Sequence, residues 1–331
     1  MRSVAVGVAG AGRLGREHAR ILAAMEGTRL AGVHDVDGER GRAVAEASGT
    51  AFVGGLDALL SECDALVVAV PTAAHHAVAR AALASGLHVL VEKPLAATLE
   101  EADDLIDVAA SGGSTLAVGH VERFNPAVRS AEPHLEAPRF IESLRLAPFQ
   151  PRGTDVNVVL DLMIHDIDLV LGLVGAPVES LDAVGTPVLT DSVDIANARL
   201  VFANGTVAEI TASRVSEERQ RVLRLFQPSG YLKLDLASGR GEFLRRKGGA
   251  VPAGGAGADG SVPSLADIVE RVPLRGDGRE PLRLELEAFL AAVRGDASPV
   301  VSAREGRAAL EVALRIGRSI QRFADVALEA T

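Results

Sequence analysis

Three groups of residues in this chain have the types and spacing that proton transfer and nucleotide binding call for. The first is Glu92-Lys93-Pro94, at the end of the apolar run Leu87–Val91. Of the 34 basic residues only Lys93, Lys233 and Lys247 are lysines; the rest are arginines. Arginine keeps its proton in proteins, whereas a partly buried lysine can release one. A lysine retained beside a glutamate therefore suits proton chemistry, although a surface lysine capping a strand explains it equally well. The second group is Asp161, His165 and Asp168. At helical spacing they share one face, beside an apolar stripe of Leu160, Ile164, Ile167 and Leu171. Three roles fit that face: a histidine base tuned by Asp161, a network satisfying buried polar groups, or a metal site, for which further ligands are not obvious nearby.

The third group is Gly10-Ala11-Gly12-Arg13-Leu14-Gly15, followed by Asp35 twenty residues after the last glycine. Val4–Ala9 ahead of it reads as a strand, Arg16–Met25 as a helix and Leu30–His34 as a second strand. That is the dinucleotide fingerprint in its required context. Gly10 permits the tight turn, Gly12 lets backbone approach the pyrophosphate, and Gly15 lets helix pack on strand. The helix N-terminus faces phosphate with its positive end. Asp35 would accept from the adenosine ribose diol, which favours NAD over NADP; a neighbouring Arg40 could soften that preference.

Strands and helices go on alternating through Leu56–Leu60, Ala65–Val70, Val78–Ala84, Leu87–Val91, Glu100–Ala110 and Leu116–Gly119. This predicts an α/β fold opening on a doubly wound parallel sheet, with Thr72 and Lys93 at the same edge as the glycine turn. His75 and His76 are helix neighbours whose side chains diverge by about 100°, which argues against a two-histidine metal site and for a structural role of at least one. After Gly119-His120 the pattern changes, and Val121-Glu122-Arg123-Phe124-Asn125-Pro126 reads as a junction or pocket segment. Phe140–Phe149, Ala196–Phe202, Thr206–Arg214, Val222–Gln227 and Tyr231–Leu236 read as a mainly antiparallel sheet, with Asn204-Gly205 as a hairpin turn. One face of that sheet is expected under helices and the other at a homodimer or homotetramer interface. Gly248–Pro263 reads as a flexible loop, and helices at Pro281–Arg294 and Arg304–Phe323 close the chain.

With 331 residues the chain is long enough for two domains. We place a dinucleotide-binding domain at 1–121 and a substrate-binding and oligomerisation domain at 122–331. A net charge of −10 and a pI near 5.4 argue against nucleic acid as a partner, while local arginines can still hold an anionic small molecule. The single cysteine, Cys63, excludes an internal disulfide and is expected to pack beside the strand at Ala65–Val70. No apolar run approaches the ~18 residues that suggest a membrane helix. Glycines and Arg13 break the leader-like start, so a cytoplasmic chain without membrane insertion is expected.

Together these features resemble the Gfo/Idh/MocA family of NAD(P)-dependent oxidoreductases over nearly the whole chain. The resemblance is carried by Gly10–Gly15, by Pro71-Thr72 with His75, by Gly86–Pro94 with its Glu-Lys-Pro ending, by Arg123–Pro126, and by Asp161 with His165. It implies a Rossmann domain followed by an α/β domain with an open antiparallel sheet, and reversible oxidation of a sugar or polyol hydroxyl by nicotinamide. It implies Lys93, Asp161 and His165 as catalytic residues. Gly10, Gly12, Arg13, Leu14, Gly15, Asp35, Pro71, Thr72, His75, Glu92 and Lys93 would bind cofactor; Lys93, Arg123, Asn125, Asp161 and His165 would bind substrate. No metal is implied. One departure is visible: many members have a glycine-rich lead into the Asp-His helix, where this chain has Asp155-Val156-Asn157-Val158-Val159. Within the family, the pairing of Gly119–Pro126 with Asp161–Asp168 looks like the group that oxidises the 3-hydroxyl of UDP-N-acetylglucosamine, ahead of an amination in lipid A biosynthesis. A dehydrogenase of another sugar, polyol or nucleotide-sugar, or a non-catalytic NAD-binding regulator, are the alternatives. A zinc-dependent dehydrogenase lacks its cysteines.

Overall fold

The structure is a computed structural model, and it describes residues 3–150, 156–247 and 264–329. The elements of the amino-terminal part follow the expected alternation: β1 (Val4–Ala9), α1 (Arg13–Ala23), β2 (Thr28–His34), α2 (Gly38–Ala47), α3 (Leu56–Leu60), β3 (Ala65–Val68), α4 (His75–Ala84), β4 (His88–Glu92), α5 (Leu99–Gly112) and β5 (Leu116–Gly119). The five strands form one all-parallel sheet in the order β2-β1-β3-β4-β5. Such a sheet is covered on both faces, so its strands carry unbroken apolar runs; Val6, Val8, Val67 and Val89 are wholly buried. The order reverses between β1 and β3, and the crevice at that switch point is where such sheets take ligands.

Beyond the junction come α6 (Pro126–Ala131), β6 (Phe140–Leu146), a π-helical turn at Val159–Met163, α7 (Ile164–Val174), β7 (Val178–Thr186), β8 (Ile195–Phe202), β9 (Val207–Ser213), β10 (Gln220–Gln227), β11 (Gly230–Asp235), β12 (Arg240–Arg246), α8 (Leu265–Ile268), β13 (Val269–Arg275), α9 (Pro281–Val293) and α10 (Ala303–Glu329). Eight strands form a second sheet, β13-β12-β11-β10-β6-β9-β8-β7, antiparallel apart from the β6–β9 pair. Strand β6 alternates: Ile141, Ser143 and Arg145 are buried beneath α7, while Phe140, Glu142 and Leu144 face the other way. That second face is mixed rather than bare. Phe140, Phe226 and Tyr231 stack in series at 5.7 and 4.7 Å, flanked by the cross-strand ion pairs Arg199–Glu209 and Arg224–Glu142.

The chain divides into two compact units, Met1–Arg123 with Glu280–Glu311, and Phe124–Arg279 with Val312–Thr331. The first break follows Arg123. The return of Glu280–Glu311 to the first unit has a packing reason. Leu286, Phe289 and Leu290 of α9 are buried in the core formed by β1, β2 and α1, and each such side chain stabilises by about 1.5–3 kcal/mol. Strands β7, β12 and β13 were not foreseen. The segment expected to be a flexible loop, Gly248–Pro263, lies outside the described residues, as does Asp155. Cys63 is half-buried, its Sγ donating to the Leu59 carbonyl at 3.0 Å. Among the described residues no helix is long and apolar enough to cross a membrane.

Candidate active site

The glycine turn between β1 and α1 is a backbone solution to a crowded place. Gly10 has φ +99°, and a Cβ on it would stand 2.4 Å from the Ala69 carbonyl oxygen. A Cβ on Gly15 would stand 1.8 Å from the Gly10 oxygen, so helix and turn touch only because neither has a side chain. Gly12 is the opposite case: a Cβ there meets nothing within 4 Å. The open space lies at the N-terminus of α1, where free backbone N–H groups and the helix dipole favour an anion. A cradle left empty by glycine at a helix start fits the pyrophosphate of NAD. Arg13 and Leu14 are exposed on the first turn beside it.

Asp35, just past β2, is buried, yet its carboxylate is crowded with donors. It accepts from the N–H of Ala11 at 2.6 Å, from the N–H of Asp37 at 2.8 Å, and from Arg40 through Nε and Nη2 at 3.2 and 2.7 Å. Burial pushes its carboxyl up, but the hydrogen bonds from Arg40, Ala11 and Asp37 outweigh that and hold it below the usual carboxylate range. The ionised oxygens suit a ribose diol. Their bond to Ala11 also fixes the glycine turn itself, a link that spacing alone did not disclose. Arg40 pairs with the acid instead of standing apart as a phosphate ligand.

At the carboxyl ends of β3 and β4 the chain places Pro71, Thr72, His75, Glu92 and Lys93. Pro71 and Thr72 are exposed and half-buried, at the mouth of the switch point. His75 is sealed, with Nδ1 2.8 Å from the Pro94 carbonyl and Nε2 2.9 Å from that of Val70. Burial pushes its ring down in pKa against the pull of those two carbonyls, which leaves a neutral imidazole with one N–H to donate. A hydrogen bond from this ring to a cofactor would require one of these contacts to be given up. Its neighbour His76 holds Asp104 of α5 at 2.7 Å, so each histidine of the pair has a structural partner. Glu92 is buried too, with Oε1 2.7 Å from Nε2 of His18 on α1, and Glu285 of α9 offers a third buried ligand atom within 4.8 Å. Sequence reasoning passed over His18, whose signal was its place among the buried positions Gly15, Ala19 and Leu22 of α1. Lys93 is half-buried at the strand end, and its bond to Pro94 is cis.

In the second unit, Asp161 and His165 straddle a change of helix type. Asp161 lies in the π-helical turn Val159–Met163, and His165 in the first turn of α7. The uniform α-spacing assumed for Asp161, His165 and Asp168 therefore does not hold through the first turn; single π turns occur often at functional sites. Asp161 and His165 are half-buried, while Asp168 is buried. The entrance to this helix is held by polar contacts. Asn157 caps the N–H of Leu160 at 3.0 Å, and the N–H of Val158 donates to the Val193 carbonyl at 2.9 Å. Arg214 reaches the Val156 carbonyl at 2.6 Å and Asp194 at 2.8 Å. Asp194, wholly buried, accepts three successive N–H groups, those of Val188, Leu189 and Thr190. Burial raises its carboxyl, but these bonds and Arg214 carry it far below the ordinary range. Asp166 of α7 is likewise paired with Arg145 and Ser143 of β6. Of the remaining expected substrate contacts, Arg123 has Nη2 3.8 Å from Glu305 of α10. Asn125 is occupied architecturally: Oδ1 caps the N–H of Ala127, and Nδ2 donates to the Leu236 carbonyl at 2.9 Å.

Comparison with known proteins adds a second line of support. Residues 4–120 match the family model described as an oxidoreductase family with an NAD-binding Rossmann fold, and residues 141–232 match the Gfo/Idh/MocA C-terminal domain. The chain is 39% identical over 96% of its length to the UDP-N-acetylglucosamine 3-dehydrogenase of Acidithiobacillus ferrooxidans, of which it covers 97%. A solved structure of that enzyme superposes with a TM-score of 0.88, covering 98% of this chain and 99% of its own. A myo-inositol dehydrogenase of Streptomyces leeuwenhoekii is 28% identical over 95% of the chain and 96% of its own length. With the glycine cradle, the ribose acid and the Glu-Lys-Pro strand end in place, the chain belongs to the Gfo/Idh/MocA family of NAD-binding oxidoreductases.

Proposed function

We propose that this protein oxidises the 3-hydroxyl of UDP-N-acetylglucosamine to a ketone with NAD as acceptor. The observation that carries the substrate assignment is the end-to-end likeness, 39% identity over 96% of the chain, to an enzyme of that activity. Bound NAD supplies the acceptor for the hydrogen and electron pair that leave the carbinol carbon. His165 takes the hydroxyl proton as general base. Lys93 hydrogen-bonds the same oxygen and stabilises the negative charge that grows there, and Asp161 orients His165. Gly12 and the first turn of α1 hold the cofactor pyrophosphate, and Asp35 holds its adenosine ribose. Pro71 and Thr72 line the cofactor side, and Arg123 is the basic group offered to an anionic substrate. His75, Glu92 and Asn125 act in this reading by holding the chain around those groups.

Purified protein supplied with NAD and UDP-N-acetylglucosamine is expected to form NADH and a 3-keto nucleotide-sugar in equal amounts, measured by NADH absorbance and mass spectrometry of the product. Turnover with free inositol or a hexose and none with the nucleotide-sugar would move the substrate to the polyol class. Cofactor binding without turnover of any sugar would make the chain a regulator.

A further inference from the structure

Lys93 stands at the first residue beyond the sheet. Strand β4 pairs with β3 as far as Val91 and with β5 as far as Glu92, and neither ladder continues. The backbone that carries a side chain past the last rung is held by the contacts of its neighbours, and here both neighbours are gripped by buried histidines. On the amino side Glu92 meets His18 of α1 at 2.7 Å; on the carbonyl side Pro94 presents its oxygen to His75 of α4 at 2.8 Å. The two rings are 0% and 1% exposed. From this bracket we propose that His18 and His75 are positioning residues that fix where the Lys93 ammonium stands. The inference rests on the reading of Lys93 as the group that contacts the alcohol oxygen.

Each half of the bracket is confined by its surroundings. The Glu92 carboxylate fills the space beside Gly119, where an added Cβ would be 3.2 Å from its oxygen, and a ligand atom of Glu285 of α9 lies within 4.8 Å of it. A buried carboxylate that loses its donor is strongly destabilised, so without His18 it moves toward water and takes the peptide leading to Lys93 with it. His75 spans two strand ends, from the Val70 carbonyl after β3 to the Pro94 carbonyl after Lys93. Either tautomer donates to one of those oxygens, and the ring body fills the gap in both. Being sealed, the two rings act on chemistry through Lys93. A displacement of about 1 Å at a reacting group costs on the order of 10²-fold in rate.

The scarcity of lysine makes this testable without reference to turnover. Protein labelled with ¹³C at the lysine ε carbon gives signals from Lys93, Lys233 and Lys247 alone, and Lys93→Arg assigns the first. His18→Leu and His75→Leu are each expected to move the Lys93 signal while leaving the other two in place, and to lower kcat about tenfold or more with KM and NAD affinity within about threefold. His18→Gln keeps an N–H donor and is expected to restore the signal and most of kcat. Should a leucine variant fail to fold, His18→Asn, too short to reach Glu92, and His75→Gln, which keeps a donor toward Val70 but not Pro94, are read instead with the same expectation. A folded His18→Leu, His18→Asn, His75→Leu or His75→Gln variant in which the Lys93 signal and kcat are those of the parent, whatever its melting temperature, overturns the proposal, as does a His18→Gln that behaves like His18→Leu. Failure of the catalytic reading shows separately, as undiminished turnover in Lys93→Met; the shifted signal would still stand.

Discussion

The two units solve the same problem, holding a polar side chain in place, by different physics. In the first, Lys93 follows a strand buried on both faces. The parts around it are short-range contacts: a glycine turn with no room for a Cβ at Gly10 or Gly15, His75 seated on two carbonyl oxygens, and His18 against the Glu92 carboxylate. In the second, Asp161 and His165 enter on an irregular lead and a π turn, and the grip comes from charge. Arg214 and Asp194 pin the lead, while Arg145 and Asp166 tie α7 to the sheet. A parallel ladder fixes its own register and leaves only its ends to be secured. A lead without a ladder has no such register, and a buried ion pair supplies one, at the risk that losing either partner strands a charge in the interior.

The comparison is most strongly tested at Lys93. Lys93→Arg keeps the charge but changes geometry and titratability, and is expected to lower kcat by about 10²–10⁴, with NAD affinity measured by titration calorimetry little altered. Comparable turnover in that variant would show that the fixed placement of Lys93 is not what the reaction uses.

Next in size is Asp194→Asn, which leaves Arg214 buried beside an uncharged amide. A loss of about 3–5 kcal/mol of unfolding free energy is expected at neutral pH, measured by denaturant titration. The sign of its pH dependence follows from the depressed carboxyl. A carboxylate held below its unfolded value of about 3.9 contributes stability that is fully present above that value and is lost as pH falls through the folded one. The gap between parent and variant should therefore be flat near neutrality and narrow below about pH 4. A gap that widened in acid would mean that the charge at Asp194 opposes the fold.

The smallest effect is expected at Arg40→Ala. The guanidinium is half-exposed, and Asp35 keeps its bonds to the N–H groups of Ala11 and Asp37. A loss within about 1 kcal/mol is expected, with a change in NAD affinity of no more than a few-fold. A collapse of cofactor binding would mean that the glycine edge depends on charge as much as the helix entrance does.

Legibility in the sequence follows the same division. The strand–turn–helix at Val4–Ala23, the acid at Asp35 and the lysine at the end of β4 rest on interactions a few residues long or on strands whose apolar run is itself the signal. The strands that escaped notice, β7, β12 and β13, each bury a single residue, and β7 and β13 form the two edges of the second sheet. A strand with little to bury leaves little alternation to read. Asn125 and His75 stood out by type and position, but their engagement with the Leu236, Pro94 and Val70 carbonyls depends on segments brought together by folding.

By itself, then, the sequence determined the dinucleotide-binding architecture, the family, and the few groups able to move a proton, because glycine spacing, apolar periodicity and residue type are local and obey short-range sterics. Only the tertiary structure decided that α9 returns to the first unit to set Glu285 beside His18 and Glu92, that the Asp-His helix opens on a π turn pinned by Arg214, and that Lys93 is framed by two histidines. Those arrangements join residues 19 to 267 positions apart along the chain, and no local propensity encodes which distant side chain will fill a given gap in a close-packed core.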